Sequence, residues 1–196
     1  MKEIRIYFEG DPALREGFHQ FLCRFIERAR ENGIRVRLVA GRGRVLHDFA
    51  IALATHPGDH VLLLTDSDGP VGVTPRQWLA SRPGWEYHGV TKPDDAQIHL
   101  MVQVMEAWFL ADVEALQRFY GAGFLPGRLP HNPQVEEIPK EQVLNGLKGA
   151  TEDTSKGEYH KTRHAPELLK RIDPAKVAKA APHCRRFLDT LDRLLP

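Results

Sequence analysis

The chain has 196 residues, of which 42% are hydrophobic and 27% charged, and its formal net charge is +1. That length can bury one sizeable core. The near-neutral balance excludes a surface that attracts polyanions everywhere, so any nucleic-acid contact must be a local basic patch. The 2 cysteines, Cys23 and Cys184, sit in no CxxC pair. This argues against a disulfide scaffold or a thiolate zinc site and predicts a reducing, cytoplasmic location. The charged start Met1-Lys2-Glu3-Ile4-Arg5 runs straight into a strand pattern and no stretch is apolar for long enough to span a bilayer, so no membrane association is expected.

Ile4, Ile6 and Phe8 alternate with Arg5 and Tyr7, which predicts a first strand ending at Glu9-Gly10. Asp11 is a natural N-cap and Pro12 suits a first helical turn. Leu14, Phe18, Phe21, Leu22, Phe25, Ile26 and Ala29 then recur at helical spacing until Asn32-Gly33 ends the helix. Ile34, Val36 and Leu38 predict a second strand, closed by Gly41-Arg42-Gly43-Arg44. Val45, Phe49 and Leu53 predict a second helix, ended by His56-Pro57-Gly58. The run Val61-Leu62-Leu63-Leu64-Thr65 is what a buried central strand requires, and it stops at Asp66-Ser67-Asp68-Gly69-Pro70. This β-α-β-α-β order predicts an α/β fold with a mostly parallel sheet and helices on its faces. In such sheets ligands bind outside the carboxyl ends of the strands. Glu9, the Gly41 to Arg44 loop, Asp66 and Asp68 are all expected there.

Residues 74–96 are less regular, with Pro75, Pro83-Gly84 and Pro93. Ile98, Leu100, Val102 and Val104 alternate with His99, Met101 and Gln103, predicting a strand that leads through Met105-Glu106 into a helix with Trp108, Phe109 and Leu110. Asp112 is expected to cap a helix running to about Tyr120. Residues 121–139, rich in Gly and Pro, read as a connection. Short helices follow near 140–148, from Pro166, from Asp173-Pro174, and finally with Phe187, Leu188, Leu191, Leu194 and Leu195 on one face. The expected organisation is an α/β domain over 1–120, with a linker and helical C-terminal extension over 121–196 packed on it.

Residues two apart in an extended chain point to the same side. Asp66 and Asp68 at a strand end are therefore expected to aim at one point, with Gly69 turning the chain away and Glu9 approaching from a neighbouring strand end. Converging carboxylates repel, and their pKa values rise unless a cation neutralises them. A hard, oxygen-preferring ion, Mg²⁺ or Mn²⁺, does this. An isolated DxD is more commonly a turn and a helix cap; the strand context and the matching Glu9-Gly10 favour the metal site. Glu106 is a further candidate ligand, in competition with a solvated place at a helix start. His99 and Gln103 have the opposite alternation parity to Glu106, which leaves the register open. Asp11 fits an N-cap better than a ligand.

Arg42 and Arg44, at a strand end before a helix, are candidates to cradle a phosphate with the helix N-terminus; a solvated turn is the competing reading. Lys156, His160, Lys161, Arg163 and His164 make a basic stretch. His160 and His164 have the i, i+4 spacing of zinc ligands, but Pro166 predicts a helix start after them and no Cys or Glu completes the site. Phosphate contact by Lys156, His160 and Lys161 is the better reading, with a solvated loop as its rival. Trp108 and Phe109 read as core.

At the acidic residues the sequence resembles the Toprim family, whose hallmarks are a Glu, usually followed by Gly, ending the first strand and a DxD, usually followed by Gly, ending the third. This chain has Tyr7-Phe8-Glu9-Gly10-Asp11 and Leu64-Thr65-Asp66-Ser67-Asp68-Gly69 in that order. The resemblance runs from the first strand to about Leu110. The whole chain also looks like a bacterial family of unknown function, including His99 to Asp112 and Lys156 to His164. Relatives of that kind are often encoded beside ATPases in phage-defence loci. The resemblance implies a Toprim/Rossmann-like fold and Mg²⁺-dependent phosphodiester hydrolysis of nucleic acid. It also implies Glu9 as metal ligand or general base, Asp66 and Asp68 as metal ligands, and an ATPase as a possible partner. Toprim domains also occur in primases and topoisomerases, whose additional catalytic domains have no room here.

Three functions therefore compete. The first is a metal-dependent nuclease. The second is a phosphatase of haloacid-dehalogenase type, because Asp66-Ser67-Asp68-Gly69-Pro70-Val71 resembles its nucleophile motif, with Asp66 phosphorylated and Asp68 as acid-base. In that family the motif comes first and an acidic pair follows later; here it comes third and no such pair follows. The third is a non-catalytic partner subunit of an ATPase. Glu9-Gly10 separates the first from the second, and activity separates the first from the third.

Overall fold

The computed structural model describes residues 2–83, 85 and 92–196. Four strands, β1 (Glu3–Glu9), β2 (Arg35–Gly41), β3 (His60–Asp66) and β4 (Ile98–Met101), form one sheet in the order β2-β1-β3-β4. Every pairing is parallel. The chain is thus α/β, with the mostly parallel, Rossmann/Toprim-like architecture the sequence predicts. Parallel pairing puts all carboxyl ends at one edge. Glu9 lies level with Gly41, Phe8 with Leu64, and Asp66 with Met101.

The alternation within the strands divides the core into two. Ile4, Ile6, Phe8, Leu62 and Leu64 face one cluster, and Tyr7, Val61, Leu63, Ile98 and Leu100 face the other. Both faces of β3 are covered, which is why its sequence is a continuous apolar run rather than an alternating one. The second face is closed by α3 (Val45–Thr55) and α4 (Pro75–Ala80), through Phe49, Trp78 and Leu79. The first is closed by α1 (Leu14–Phe21) and α2 (Cys23–Glu31). Residues of α5 (Ala107–Leu110), α6 (Val113–Tyr120), α7 (Lys140–Thr151), α8 (Lys161–Leu169), α9 (Pro174–Ala180) and α10 (Pro182–Arg193) join that same cluster. Trp108, fully buried, stacks on Phe21 at 5.3 Å and meets Phe18 edge-on at 6.4 Å.

Four expectations are corrected. The single helix expected up to Asn32 is broken at Leu22, whose φ of −100° and ψ of 12° leave the helical region. Phe21 and Leu22 are consecutive and both buried, and a bend lets both enter the core. Asp11 accepts from Ala13 N at 2.9 Å and so caps the turn before α1. The strand expected to reach Val104 ends at Met101. Beyond it only single bonds from Ser67 N to Met101 O and from Asp68 N to Gln103 O continue the pairing. Residues 74–96, read as irregular, hold α4, which opens on a capping box: Thr74 Oγ1 accepts from Gln77 N, and Gln77 Oε1 accepts from Thr74 N. Gly84 of that stretch lies outside the described residues. Finally, α8 starts at Lys161 and carries Pro166 inside it. Proline removes one donor there, but the first turn is held by His164 N donating to His160 O at 2.8 Å.

The expected cap at Asp112 is found, accepting from Ala115 N, and the helix expected from Asp173-Pro174 is capped by Asp173, which accepts from Ala175 N. Among the described residues no helix is long and apolar enough to cross a membrane.

β2 runs into α3 with almost no space between them. A Cβ added at Gly41 would lie 2.4 Å from Val45 Cα and 2.8 Å from Val45 N, both backbone atoms that cannot swing aside. Gly41→Ala is therefore expected to destabilise the fold by about 2 kcal/mol through overpacking, read from urea unfolding midpoints. An unchanged midpoint would mean that the start of α3 yields freely.

Candidate active site at the strand ends

β1 and β3 are adjacent and in register, so their last residues meet. Glu9 Oε2 accepts from Asp66 N at 3.2 Å and from the Thr65 hydroxyl. Glu9 thus belongs to the edge that carries Asp66, as the sequence requires for a shared site. Asp66 itself is nearly buried, and its Oδ1 accepts from Met105 N at 2.9 Å. That bond takes up a backbone donor freed where β4 stops. It also brings the next residue, Glu106, beside Asp66.

Glu106 is completely buried. Its Oε1 accepts from Tyr159 Oη at 3.1 Å, and its Oε2 has no hydrogen-bond partner. Lys161, the first residue of α8, bridges the two acids: its Nζ is 3.5 Å from Glu106 Oε1 and 3.7 Å from Asp66 Oδ2. Burial pushes the Asp66 carboxyl up to about 7; Lys161 opposes the shift, while Glu106 and Glu9 add to it. Burial works against the Lys161 ammonium, but Glu106, Asp66 and Glu9 together outweigh it and raise its pKa. Burial, and then the Glu106 charge, push the Tyr159 hydroxyl well above its ordinary value, so it remains a donor to Glu106.

Asp68 behaves differently from the expectation for a DxD. The chain leaves the extended conformation after Asp66, and Asp68 adopts φ 59°. Its exposed carboxylate receives Lys140 Nζ at 2.6 Å. Asp68 does line the same pocket as Asp66 and Glu9, a space of about 490 Å³. The same pocket is lined by Arg44, His47, Trp78 and Arg82. The Arg82 guanidinium lies 4.1 Å over the Trp78 ring, and its Nη2 donates to Ser67 O at 2.8 Å. Arg82 Nε and Trp78 Nε1 are buried without a partner.

Of the basic residues named from the sequence, Arg44 and Lys161 are at the site. Arg42 is exposed and paired with Asp11. Lys156 lies over the Phe119 ring, 5.1 Å from its centre. His160 is exposed, with its Nδ1 3.1 Å from Thr162 Oγ1. The Nδ1 of His164 receives His160 N and faces Tyr120 Oη, each at 3.1 Å, so that pair is structural. His99 packs on Phe187 and touches Ala96 O, away from the carboxylates. Gln103 Oε1 accepts from Lys140 N. Sequence reasoning did not single out Tyr159, Lys140, Trp78 or Arg82; the i, i+4 spacing of the last two was the signal available for them.

Among the described residues no three His, Cys, Asp or Glu side chains are gathered as a bound metal would hold them. The donor chemistry nonetheless fits a hard divalent cation. The donors are all oxygens, one buried Glu106 oxygen is unpartnered, and the carboxylates already face a positive charge on Lys161.

A family model described as a domain of unknown function, DUF4276, matches residues 11–192. The chain belongs to the DUF4276 family. The matched part of the DUF4276 chain includes Asp66, Asp68, Glu106, Tyr159 and Lys161, and begins just after Glu9. No curated protein and no solved structure matches the chain.

Proposed function

We propose that this DUF4276 chain is a Mg²⁺- or Mn²⁺-dependent nuclease of Toprim type, hydrolysing phosphodiester bonds in nucleic acid. One observation carries the reading: at the carboxyl edge of the sheet Glu9 accepts from Asp66 N, and the Asp66 and Glu106 carboxylates share a single ammonium, Lys161. Glu9, Asp66 and Glu106 would hold the ion, with Asp68 beside them on the pocket wall. Bound there, the ion supplies a Lewis acid for a phosphoryl oxygen and a more acidic water.

The chain's own groups do the rest. Glu9 is fixed through Oε2 by Thr65 and Asp66 N, which leaves its Oε1 to serve either as metal ligand or as the general base that takes the proton of the attacking water. Tyr159 holds the Glu106 carboxylate in place. Lys161 and Arg44 offer positive charge to the phosphate. Cys23 and Cys184 are free thiols, which suits the cytoplasm, and an ATPase of the kind encoded beside relatives is the proposed partner. The haloacid-dehalogenase alternative gains nothing from the geometry, because Asp66 is nearly buried and its Oδ1 is engaged by Met105 N.

Labelled single- and double-stranded DNA and RNA, incubated with the protein alone and with that ATPase, test the proposal. Cleavage is expected with Mg²⁺ or Mn²⁺, and Asp66→Asn is expected to lower it at least about 100-fold. Cleavage that survives EDTA, or that persists undiminished in Asp66→Asn, overturns the proposal.

A further inference from the structure

We infer that the pocket beside the carboxylates seats one unstacked nucleotide, with its phosphate on Arg44 and Arg82, so that the substrate is single-stranded or a frayed end. The inference rests on the nuclease reading for its polynucleotide and adds the form that polynucleotide takes.

Three observations carry it. The first is size. A space of about 490 Å³ is in the range of a small-ligand site. A nucleotide fits such a space, whereas an intact duplex is far too wide to enter it. The second is charge. Arg44 and Arg82 line the pocket together with the acidic Glu9, Asp66 and Asp68. An anion entering the pocket would therefore turn its phosphate to the arginines and away from the carboxylates.

The third is the unspent hydrogen bonding. Trp78 is only 5% exposed, and both its Nε1 and the Nε of Arg82 are buried with no acceptor. Leaving a buried donor unmade costs about 1–3 kcal/mol, and two such donors stand side by side in residues that line one pocket. Arg82 is also fixed in advance: its plane rests on Trp78, and its Nη2 is tied to Ser67 O, between the two aspartates. A guanidinium immobilised in this way loses little freedom when it takes a phosphate. A small shift of the Arg82–Trp78 pair on ligand entry would bring these enclosed donors to oxygens of a phosphate or of a base edge.

The experiment measures binding in Ca²⁺ or EDTA, without turnover. A fluorescein-labelled single-stranded oligonucleotide and a blunt hairpin duplex of equal length are titrated with the full chain and followed by anisotropy. The single strand is expected to bind at least about tenfold tighter than the duplex. Arg44→Ala, an exposed position, and Arg82→Lys, which keeps the charge but loses the fork, are each expected to weaken single-strand binding about tenfold. Lys156→Ala, outside the pocket, is expected to leave it unchanged. Equal affinity for the two forms overturns the inference, as does single-strand binding untouched by Arg44→Ala. The two readings fail separately. Single-strand preference that depends on Arg44, without cleavage in Mg²⁺, leaves the pocket standing and removes the nuclease. Cleavage with duplex bound as well as single strand does the reverse.

Discussion

In EDTA, Asp66→Asn is expected to raise the thermal unfolding midpoint by up to about 10 °C near pH 8 and to move it little near pH 4. The direction follows from the environment of Asp66. Its carboxyl, ordinarily at 3.8, is pushed up to about 7 in the fold, by burial above all, then by Glu106 and Glu9, with Lys161 opposing. A raised folded pKa means that the fold takes up a proton the open chain has released. The stability this gives is fully present below 3.8 and is lost as pH rises through about 7. Above that point ionised Asp66 costs the metal-free fold at most roughly 4 kcal/mol relative to a neutral side chain. Asparagine stays neutral at every pH, and its Oδ1 can still accept from Met105 N. The gap between variant and wild type should therefore open between these two pH values. Parallel stability profiles across that window would show that Asp66 is not held neutral by its surroundings.

The parts of this site that were legible in the sequence are those with a local cause. The run Val61–Thr65 marks a strand covered on both faces, and its last residue must then lie at the carboxyl edge, which placed Asp66. Glu9 was placed the same way, because Ile4, Ile6 and Phe8 fix the end of β1. Asp68 was misdirected by assuming that the strand persists for two more residues; its φ of 59° ends that geometry at once. Glu106 was a candidate because a strand was expected to lead up to it, but β4 ends at Met101. The residue belongs to no strand, and reaches the site because the side chain of Asp66 captures Met105 N, a tertiary bond that no alternation pattern encodes. Tyr159 and Lys161 come from the far end of the chain, and their neighbours in sequence say nothing about Glu106. Pro166 misled for a related reason. Proline commonly begins helices, but here the contacts of His164 with Tyr120 and His160 hold an earlier turn in place.

The role given to Lys161 makes a second strong demand. Lys161→Met is expected to destabilise the protein in EDTA by about 2 kcal/mol. Adding Glu106→Gln in the same chain is expected to recover most of the loss. Glu106 is fully buried and has one oxygen without a partner, so the ammonium bridging it to Asp66 is what offsets its charge. Removing one member of a buried pair typically costs about 3–5 kcal/mol. The lysine side chain is 53% exposed, and solvent screening reduces the figure. If divalent cations occupy the same place, the variant also has the emptier site. A ligand that binds the fold alone stabilises it by RT ln(1 + L/Kd), where L is its free concentration, so tighter binding gives a larger shift at one concentration. Millimolar Mg²⁺ is then expected to raise the unfolding midpoint of Lys161→Met by several degrees more than that of wild type. This readout needs no substrate and no cleavage. Equal Mg²⁺ responses in the two proteins would mean that Lys161 and the ion do not share a position, and that the carboxylates of Asp66 and Glu106 serve the lysine alone.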